Sequence, residues 1–430
     1  MKTTVSAISH DGRGIAHVDD KTLFIANALP NEEVVFQYTS KRSQIAEGKA
    51  IEIKNPSPDR IDPACEYFMI CGGCSSQHIA HEKQLMIKQN ALLDLLKSNI
   101  KCLPKKILTP IQSSTWGYRR KARLGVRYVN KKEKVLVGFR EKYSNFLTDM
   151  SYCKILHPSI GQELTALADL IHSLSIYREI PQFEIAIGDM DVAIIIRHLK
   201  NFNEEDLTLL KSFSQNNKIQ IYSQSGGLDT VKKLFPDDNN ERLSYQLEQY
   251  DIKFFFHPND FTQVNFDVNK QMVNRALELL SLNDDDKVLD LFCGLGNFTL
   301  PIAKFAQHVT GVEGSQRMVE RGYENAKANN INNVEFYAAD LSAEISHYPW
   351  VKKQYDKVLL DPPRSGALEV LPLFELWRPS RIVYVSCNPA TLARDAGKLV
   401  EMGYKLEAAG IMDMFPHTSH VESIALFVPK

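Results

Sequence analysis

Cys387 sits in the string RIVYVSCNPATLARD. Residues 381–386 have the character of a buried strand, a Cys-Asn-Pro turn follows, and a helix is predicted from near Thr391. A thiol at the carboxyl end of a strand lies where open α/β sheets hold their ligands. Upstream, VLDLFCGLGNFTL (288–300) reads as strand, glycine-rich turn and helix, the setting of a nucleoside cofactor. Together the two segments predict a cofactor-dependent enzyme with a covalent cysteine step. The plain alternative for Cys387 is a buried structural thiol, the commonest state of free cysteine.

Gly294 and Gly296 permit a tight turn and close approach of a ligand to the backbone. Glu313 ends the next predicted strand (VTGVEGS), where a carboxylate can accept hydrogen bonds from both hydroxyls of a ribose. Asp340 (FYAADL) ends the third strand, where a carboxylate can accept from an adenine amino group, and Asp361 opens DPPR at the end of the fourth. Three acids at successive strand ends repel the phosphates of a dinucleotide. They suit a cationic, phosphate-free nucleoside such as S-adenosylmethionine. As helix caps the same acids would be structural only.

Cys65, Cys71 and Cys74 form a C-x5-C-x2-C loop (CEYFMICGGCSS), with Cys153 far downstream in MSYCKIL. Structural zinc uses closer pairs in both halves of its site. A three-cysteine loop with one distant partner suits an iron–sulfur cluster better, although zinc and plain buried thiols both remain open on spacing. Cys102 has no matching partner. The segment WGYRRKARLGVRYVNKKEKVLVGFREKY (116–143) sets Tyr118, Tyr128, Phe139 and Tyr143 among Arg and Lys. Such cations neutralise phosphates while the rings stack on unpaired bases; a solvated pair of charged strands is the alternative.

These residues need a scaffold, and 430 residues are too many for one ordinary core. Hydrophobic content of 44% and charged content of 24% are those of a soluble globular chain, and a net charge of −1 excludes a generally basic coat but not a local basic face. Residues 1–58 hold short strands (22–25, 33–38, 46–53) at the spacing of a small β-barrel. PSPDRIDP (56–63) reads as a linker. Residues 59–250 mix α and β: the cysteines, an amphipathic helix from about 82 to 98, the basic stretch, and a hairpin turning at Gly188-Asp189. Residues 251–430 alternate strand and helix, with strands ending at 292, 313, 339, 361, 386, 414 and 428, which predicts a doubly wound, mostly parallel Rossmann-like sheet. The expected fold class is therefore multi-domain α/β: an OB-like barrel, a mixed central domain and a Rossmann-like carboxyl-terminal domain.

The stretches HPNDFTQVN, DLFCGLGNFTL, DPPR, VSCNPATLARD and FPHTSHVE, in this order through residues 251–430, resemble the RNA uracil-5-methyltransferase family. The resemblance implies S-adenosylmethionine contacts at Gln263, Phe292, Asn297, Glu313, Asp340 and Asp361. It implies Cys387 as the nucleophile that adds to carbon 6 of uracil, so that carbon 5 becomes nucleophilic, and Glu422 (HTSHVESIALF) as the base that removes the carbon-5 proton. A surface strand glutamate is the alternative for Glu422. His417 and His420 are weaker candidates, for capping or packing. Arg364 replaces the aromatic ring that follows Pro-Pro in enzymes that methylate exocyclic amines, which favours carbon methylation. Cys293 reads as a wall of the cofactor pocket. The rRNA branch of the family implies a [4Fe-4S] cluster on Cys65, Cys71, Cys74 and Cys153. It also implies a TRAM-like RNA-binding unit at 1–58, although Asn31 stands where that unit commonly has glycine, and 23S rRNA as the substrate, at uridine 1939.

Another rRNA or tRNA uridine is the nearest alternative target. A non-catalytic RNA-binding redox sensor would lack the nucleophile or the base. A cytosine-carbon-5 enzyme would carry a second cysteine, where Asp361 stands here. The amino terminus lacks the apolar stretch of a secretory signal and no run is long enough to span a bilayer, so a cytoplasmic location with no membrane partner is expected. No obligate protein partner is evident.

Overall fold

The computed structural model describes residues 1–430 except His10, Ser43 and Asn239. The first sheet comprises β1 (Lys2–Thr4), β2 (Ala7–Ile8), β3 (Gly14–Val18), β4 (Lys21–Ala26), β5 (Glu33–Lys41) and β6 (Ile45–Lys54), in the order β1-β5-β6-β4-β3-β2. Alternating side chains (Leu23, Ile25, Val34, Phe36, Ala46, Ala50) point inward and form its core. Asp19 and Asp20, both at positive φ, supply the backbone twist of a two-residue hairpin between β3 and β4. β1 pairs with β5 and β2 with β3, while the amides of Val5 and Ser6 bond the carbonyls of Glu32 and Ile15. One short segment thus ties both edges and closes the sheet on itself.

Next come α1 (His81–Ile100) and β7 (Lys106–Ile107). The apolar stripe of α1 was expected, but not its partner. Leu85, Leu92 and Leu96 pack in the core that also holds Leu392, Leu399 and Ile411, and β7 pairs with the strand ending at Met412. Within residues 59–250, α1 and β7 thus pack with the carboxyl-terminal sheet. An amphipathic pattern tells which face is buried, never what buries it.

The central sheet holds β8 (Lys121–Val129), β9 (Lys134–Gly138), β10 (Gln182–Ile187), β11 (Val192–Arg197), β12 (Ile219–Gln224) and β13 (Val231–Phe235), in the order β13-β12-β11-β10-β8-β9. Between these strands lie α2 (Pro158–Gly161), α3 (Leu164–Ser173) and α4 (Glu204–Asn217), whose first turn is closed by a reciprocal Asn203–Asp206 capping box. The hairpin turns at 188–191, as expected. A side chain at Gly188 would stand 2.5 Å from the Ser244 carbonyl oxygen, so only glycine fits. β14 (Leu243–Leu247) pairs with β15 (Ile252–Phe256), and Leu243, Tyr245, Phe254 and Phe256 enter the core of the following sheet. That core thus recruits residues from before 251.

The last sheet takes β16 (Lys287–Leu291), β17 (His308–Glu313), β18 (Val334–Ala338), β19 (Lys357–Leu360), β20 (Arg381–Ser386), β21 (Tyr404–Met412) and β22 (Glu422–Pro429). α5 (Phe266–Leu280), α6 (Thr299–Ala303), α7 (Gln316–Ala328), α8 (Phe374–Trp377) and α9 (Pro389–Glu401) accompany them. The order is β18-β17-β16-β19-β20-β22-β21-β7, parallel from β18 to β20, with β22 antiparallel to both of its neighbours. α9 starts two residues before the expected Thr391. Asn388 caps it, accepting from the Ala390 amide at 3.1 Å, and Pro389 fits the first helical position, where no amide is needed. Among the described residues no helix is long and apolar enough to cross a membrane.

Leu92 is fully buried beneath α9, and Trp350 and Trp377 lie in the same core. Leu92→Ala should lower stability by about 3 kcal/mol, read as an earlier urea midpoint in tryptophan fluorescence. An unchanged midpoint would mean that α1 is not part of this core.

Candidate active site

Sheet order sets the candidate residues in a row. At the carboxyl edge of the parallel strands come Asp340 after β18, Glu313 ending β17, Phe292 after β16, Asp361 after β19 and Cys387 after β20. The crevice between β16 and β19, where the connections diverge, is the ligand position of such sheets.

β22 runs the other way, so its first residue reaches the same edge. Ser386 pairs with Ser423, which puts Cys387 and Glu422 at the next facing positions. Both are partly buried. Burial raises Glu422 from 4.5 to about 8, the Asp361 carboxylate adds to this, and Arg364 and Lys88 oppose it. Burial likewise pushes Cys387 up to about 11, with Glu422 and Asp361 adding and Arg364 opposing. Burial alone raises Asp361 to about 7. A cation bound beside these acids would favour their ionised forms.

The glycine turn is strained where it meets the edge. Phe292 lies at φ +65°, and its amide and that of Cys293 both donate to the Val312 carbonyl, at 2.8 and 3.1 Å. Glu313 accepts from the amides of Gly294 (3.1 Å) and Ser315 (3.0 Å). No atom lies within 4 Å of where a Cβ would stand on Gly294 or Gly314, so the edge is open to a ligand there. The Asn297 side chain is engaged inward, accepting from Tyr245 (2.8 Å) and exchanging bonds with Asn269 (3.0 and 2.9 Å). Asp340 is exposed and bonds the amide and hydroxyl of Ser342. Gln263 lies in the 257–265 loop, which buried Asp260 anchors by accepting from the His257 amide and from Arg321. Cys293 is buried, its sulfur beside Gly311.

Cys387 opens onto a cleft of about 870 Å³ lined by Arg364, Asn388 and His420 from the sheet edge, Met86 and Asn90 from α1, and Ile8 from the first sheet. Arg364 Nη2 stands 3.3 Å from His420 Nδ1, and its carbonyl accepts from Asn388 at 3.0 Å. His417 is buried, its ring tilted against Trp116 with centroids 4.1 Å apart, and lowered by burial to about 4. A second cleft, of about 490 Å³, is lined by Arg13 and Lys49 of the first sheet and by Phe139, Arg140, Lys142 and Tyr143 of the basic stretch. Ser419 lines both clefts.

Cys65, Cys71, Cys74 and Cys153 are all buried and line one small cavity with Trp116, Phe139 and Met150. The Gly73 amide points at Cys71 Sγ (3.3 Å), and a side chain at Gly72 would meet the Arg140 carbonyl at 2.9 Å. Burial first, then the neighbouring cysteines, raises Cys74 to about 12 and Cys153 to about 11; Cys71 is raised chiefly by burial. Clustered soft donors that resist ionisation alone are a donor set for a positive metal centre. Among the described residues, no three His, Cys, Asp or Glu gather closely enough for a single metal ion. Cys102 is exposed and takes no part in this cavity.

Reading by motif missed Lys88, Gln84 and Asp413, which hold the turn before Glu422. Lys88 carried a signal: it lies on the apolar stripe of α1, three residues after Leu85 and four before Leu92.

A doubly wound sheet with acids along its carboxyl edge and a facing cysteine–glutamate pair defines a group-transferring α/β enzyme. Residues 185–430 match the family described as tRNA (Uracil-5-)-methyltransferase. The chain is 51% identical over 430 residues to the 23S rRNA (uracil(1939)-C(5))-methyltransferase RlmD of Vesicomyosocius okutanii, covering 100% of this chain and 97% of that protein. It is 51% identical to the RlmD of Alcanivorax borkumensis, covering 99% and 95%. The crystal structure of Pyrococcus abyssi tRNA (uracil-54, C5)-methyltransferase in complex with S-adenosyl-L-homocysteine shares the fold, with a TM-score of 0.76, 23% identity and 100% of each chain covered. The chain belongs to the RNA uracil-5-methyltransferase family.

Because burial raises Glu422, the folded protein keeps a proton there between about pH 4.5 and 8 that the unfolded chain has released. That contribution to stability is complete below the lower value and is lost as pH rises through the upper one. Glu422→Gln stays neutral throughout, so the variant should gain on the parent across this window and then level off. Urea midpoints at about pH 5, 7 and 9 check this; a constant difference would mean that the carboxyl titrates normally.

Proposed function

We propose that this protein uses S-adenosylmethionine to methylate carbon 5 of a uridine in 23S rRNA, at the position, 1939, that the names of its relatives print. The observation that carries the mechanism is the register that sets Cys387 opposite Glu422 at the open edge of the sheet. Carbon 5 of uracil is a poor nucleophile. Cys387 gives up its proton to solvent, its thiolate Sγ bonds to carbon 6, and the ring's electron pair moves toward carbon 5 as an enolate. S-adenosylmethionine, when bound, supplies an electrophilic methyl group on a positively charged sulfur. Glu422 as carboxylate then takes the proton from carbon 5, the carbon–sulfur bond breaks, and the thiolate leaves with its electron pair. Asp361 adds negative charge beside this pair, and Arg364 tempers it.

Glu313 and the Gly294 turn are assigned to the ribose end of the cofactor, with Phe292, Asp340, Gln263 and Asp361 around it. Asn297, whose amide is already engaged, would contribute through its backbone. The first sheet is assigned as the TRAM-like RNA-binding unit, and the cleft of Arg13, Lys49, Arg140 and Lys142 as a path for the RNA backbone. Cys65, Cys71, Cys74 and Cys153 are assigned as the ligands of a [4Fe-4S] cluster, supported by their shared cavity. The domain reading is 1–58, 59–250 and 251–430, with α1 and β7 counted with the last. Such an enzyme works in the cytoplasm, where ribosomes assemble.

Mapping 5-methyluridine in rRNA from cells lacking this gene, complemented with variants, tests the reading. The parent should restore methylation at 1939 and Cys387→Ala should not. In vitro, Glu422→Gln should still attack and transfer methyl, then stall, so that a covalent enzyme–RNA species carrying the methyl group accumulates. Release of 5-methyluridine by Glu422→Gln at the parent rate would remove Glu422 as the base.

Protein purified without oxygen should be brown, with about four irons per chain, and Cys153→Ser should lose iron before it loses cofactor binding. Colourless protein with stoichiometric zinc would overturn the cluster assignment.

A further inference from the structure

The turn at residues 413–418, between β21 and the start of β22, carries the backbone toward Glu422 and is held largely from outside. Buried Asp413 accepts from Lys88 Nζ at 2.7 Å and lies 2.9 Å from His81 Nε2. Lys88 also donates to the Phe415 carbonyl at 3.0 Å. The Tyr118 hydroxyl donates to the Pro416 carbonyl at 3.2 Å. Gln84 Oε1 accepts from the His417 amide at 3.1 Å, and the amides of Ser75 and Ser76 donate to the His417 carbonyl at 2.8 and 3.1 Å. His417 itself sits at φ +64°, a conformation that a non-glycine residue keeps only when its surroundings impose it.

Lys88 is 3% exposed. An ammonium so buried is costly unless it is paired and hydrogen-bonded, so its two bonds to the turn fix the turn as firmly as they fix the lysine. We propose that Lys88 and Gln84, one helical turn apart on α1, are positioning residues for proton removal, holding the 413–418 turn so that Glu422 stays opposite Cys387. The inference rests on Glu422 being the base.

The charge of Lys88 acts in the same direction. Glu422 feels Asp361 and Arg364 from the end of β19, Cys387 from β20 and Lys88 from α1, while Asp413, His417 and His420 of the adjoining turn feel Lys88 in their own right, and Asp413 and His417 feel His81 as well. Burial and Asp361 favour the neutral acid; Arg364 and Lys88 favour the carboxylate that a base must be. Without Lys88, Asp413 keeps, among the described residues, only His81 as a charged partner, and Glu422 should ionise at higher pH.

The test is single-turnover reaction of the full-length protein with a 23S rRNA fragment and radiolabelled S-adenosylmethionine, resolved on denaturing gels. Lys88→Met should slow release of methylated RNA by about a hundredfold, the scale of a misplaced reacting group. It should accumulate the methylated covalent species, leave KM for S-adenosylmethionine unchanged, and move the rise of the release step to higher pH. Lys88→Arg should restore release to within about tenfold of the parent, since it keeps the charge. Gln84→Met leaves the ion pair intact and should accumulate less of the same species, which decides the matter if Lys88→Met does not fold. Glu422→Gln runs beside them. If it traps the species while the folded Lys88 and Gln84 variants release product at the parent rate, or slow all steps without trapping, the positioning role is overturned and the base assignment stands. If Glu422→Gln does not trap, both fall together.

Discussion

The reversal of one strand determines which side chains meet at the ligand edge of this sheet. A purely parallel sheet presents only its carboxyl ends at the ligand edge, so every side chain there follows a strand. Inserting β22 antiparallel between β20 and β21 brings a residue that begins a strand to the same edge, and backbone hydrogen bonds set its height opposite Cys387. A thiol and a carboxyl are thereby brought together by ladder register, with Glu422 at the point where the ladder meets the turn before β22. The surrounding arrangement follows from this: the turn before β22 must be held, and α1 and the cysteine loop hold it.

The electrostatics follow from crowding acids at a partly dry edge. Glu422, Asp361 and Cys387 each hold their protons more tightly than in water, with burial the leading cause and mutual repulsion adding for Glu422 and Cys387. Arg364 is exposed and Lys88 is not, so the two cations act differently. Arg364 can follow a substrate, whereas Lys88 is a fixed charge whose effect does not depend on one. Salt should screen the first more than the second.

Much of this was legible in the sequence. The strand ends at 313 and 386 fall where they were expected, because buried parallel strands are short apolar runs stopped by an acid or a turn residue. The motifs named the edge residues, and sheet order then set them side by side. Four things were not legible. The partner of α1 was hidden because a hydrophobic stripe carries no address. The start of α9 was misplaced because Pro389 reads as a breaker until Asn388 is seen to cap it. The Lys88–Asp413 pair spans 325 residues, and no local pattern links its members. The inward engagement of Asn297 was equally invisible, since Tyr245 and Asn269 come from elements outside the glycine motif.

The placement of α1 also bears on biosynthesis. The helix and β7 are made in the first quarter of the chain, yet they dock on α9 and β21, near its end. On the ribosome, the apolar face of α1 therefore waits, uncovered, until almost all of the remaining sequence has emerged. The carboxyl-terminal sheet, for its part, cannot complete its eighth strand without a segment made long before it. The pairing of Glu422 with Cys387 waits for β22, the last of these strands to be made, and a nascent chain of this kind is a natural client for chaperones that shield exposed leucine.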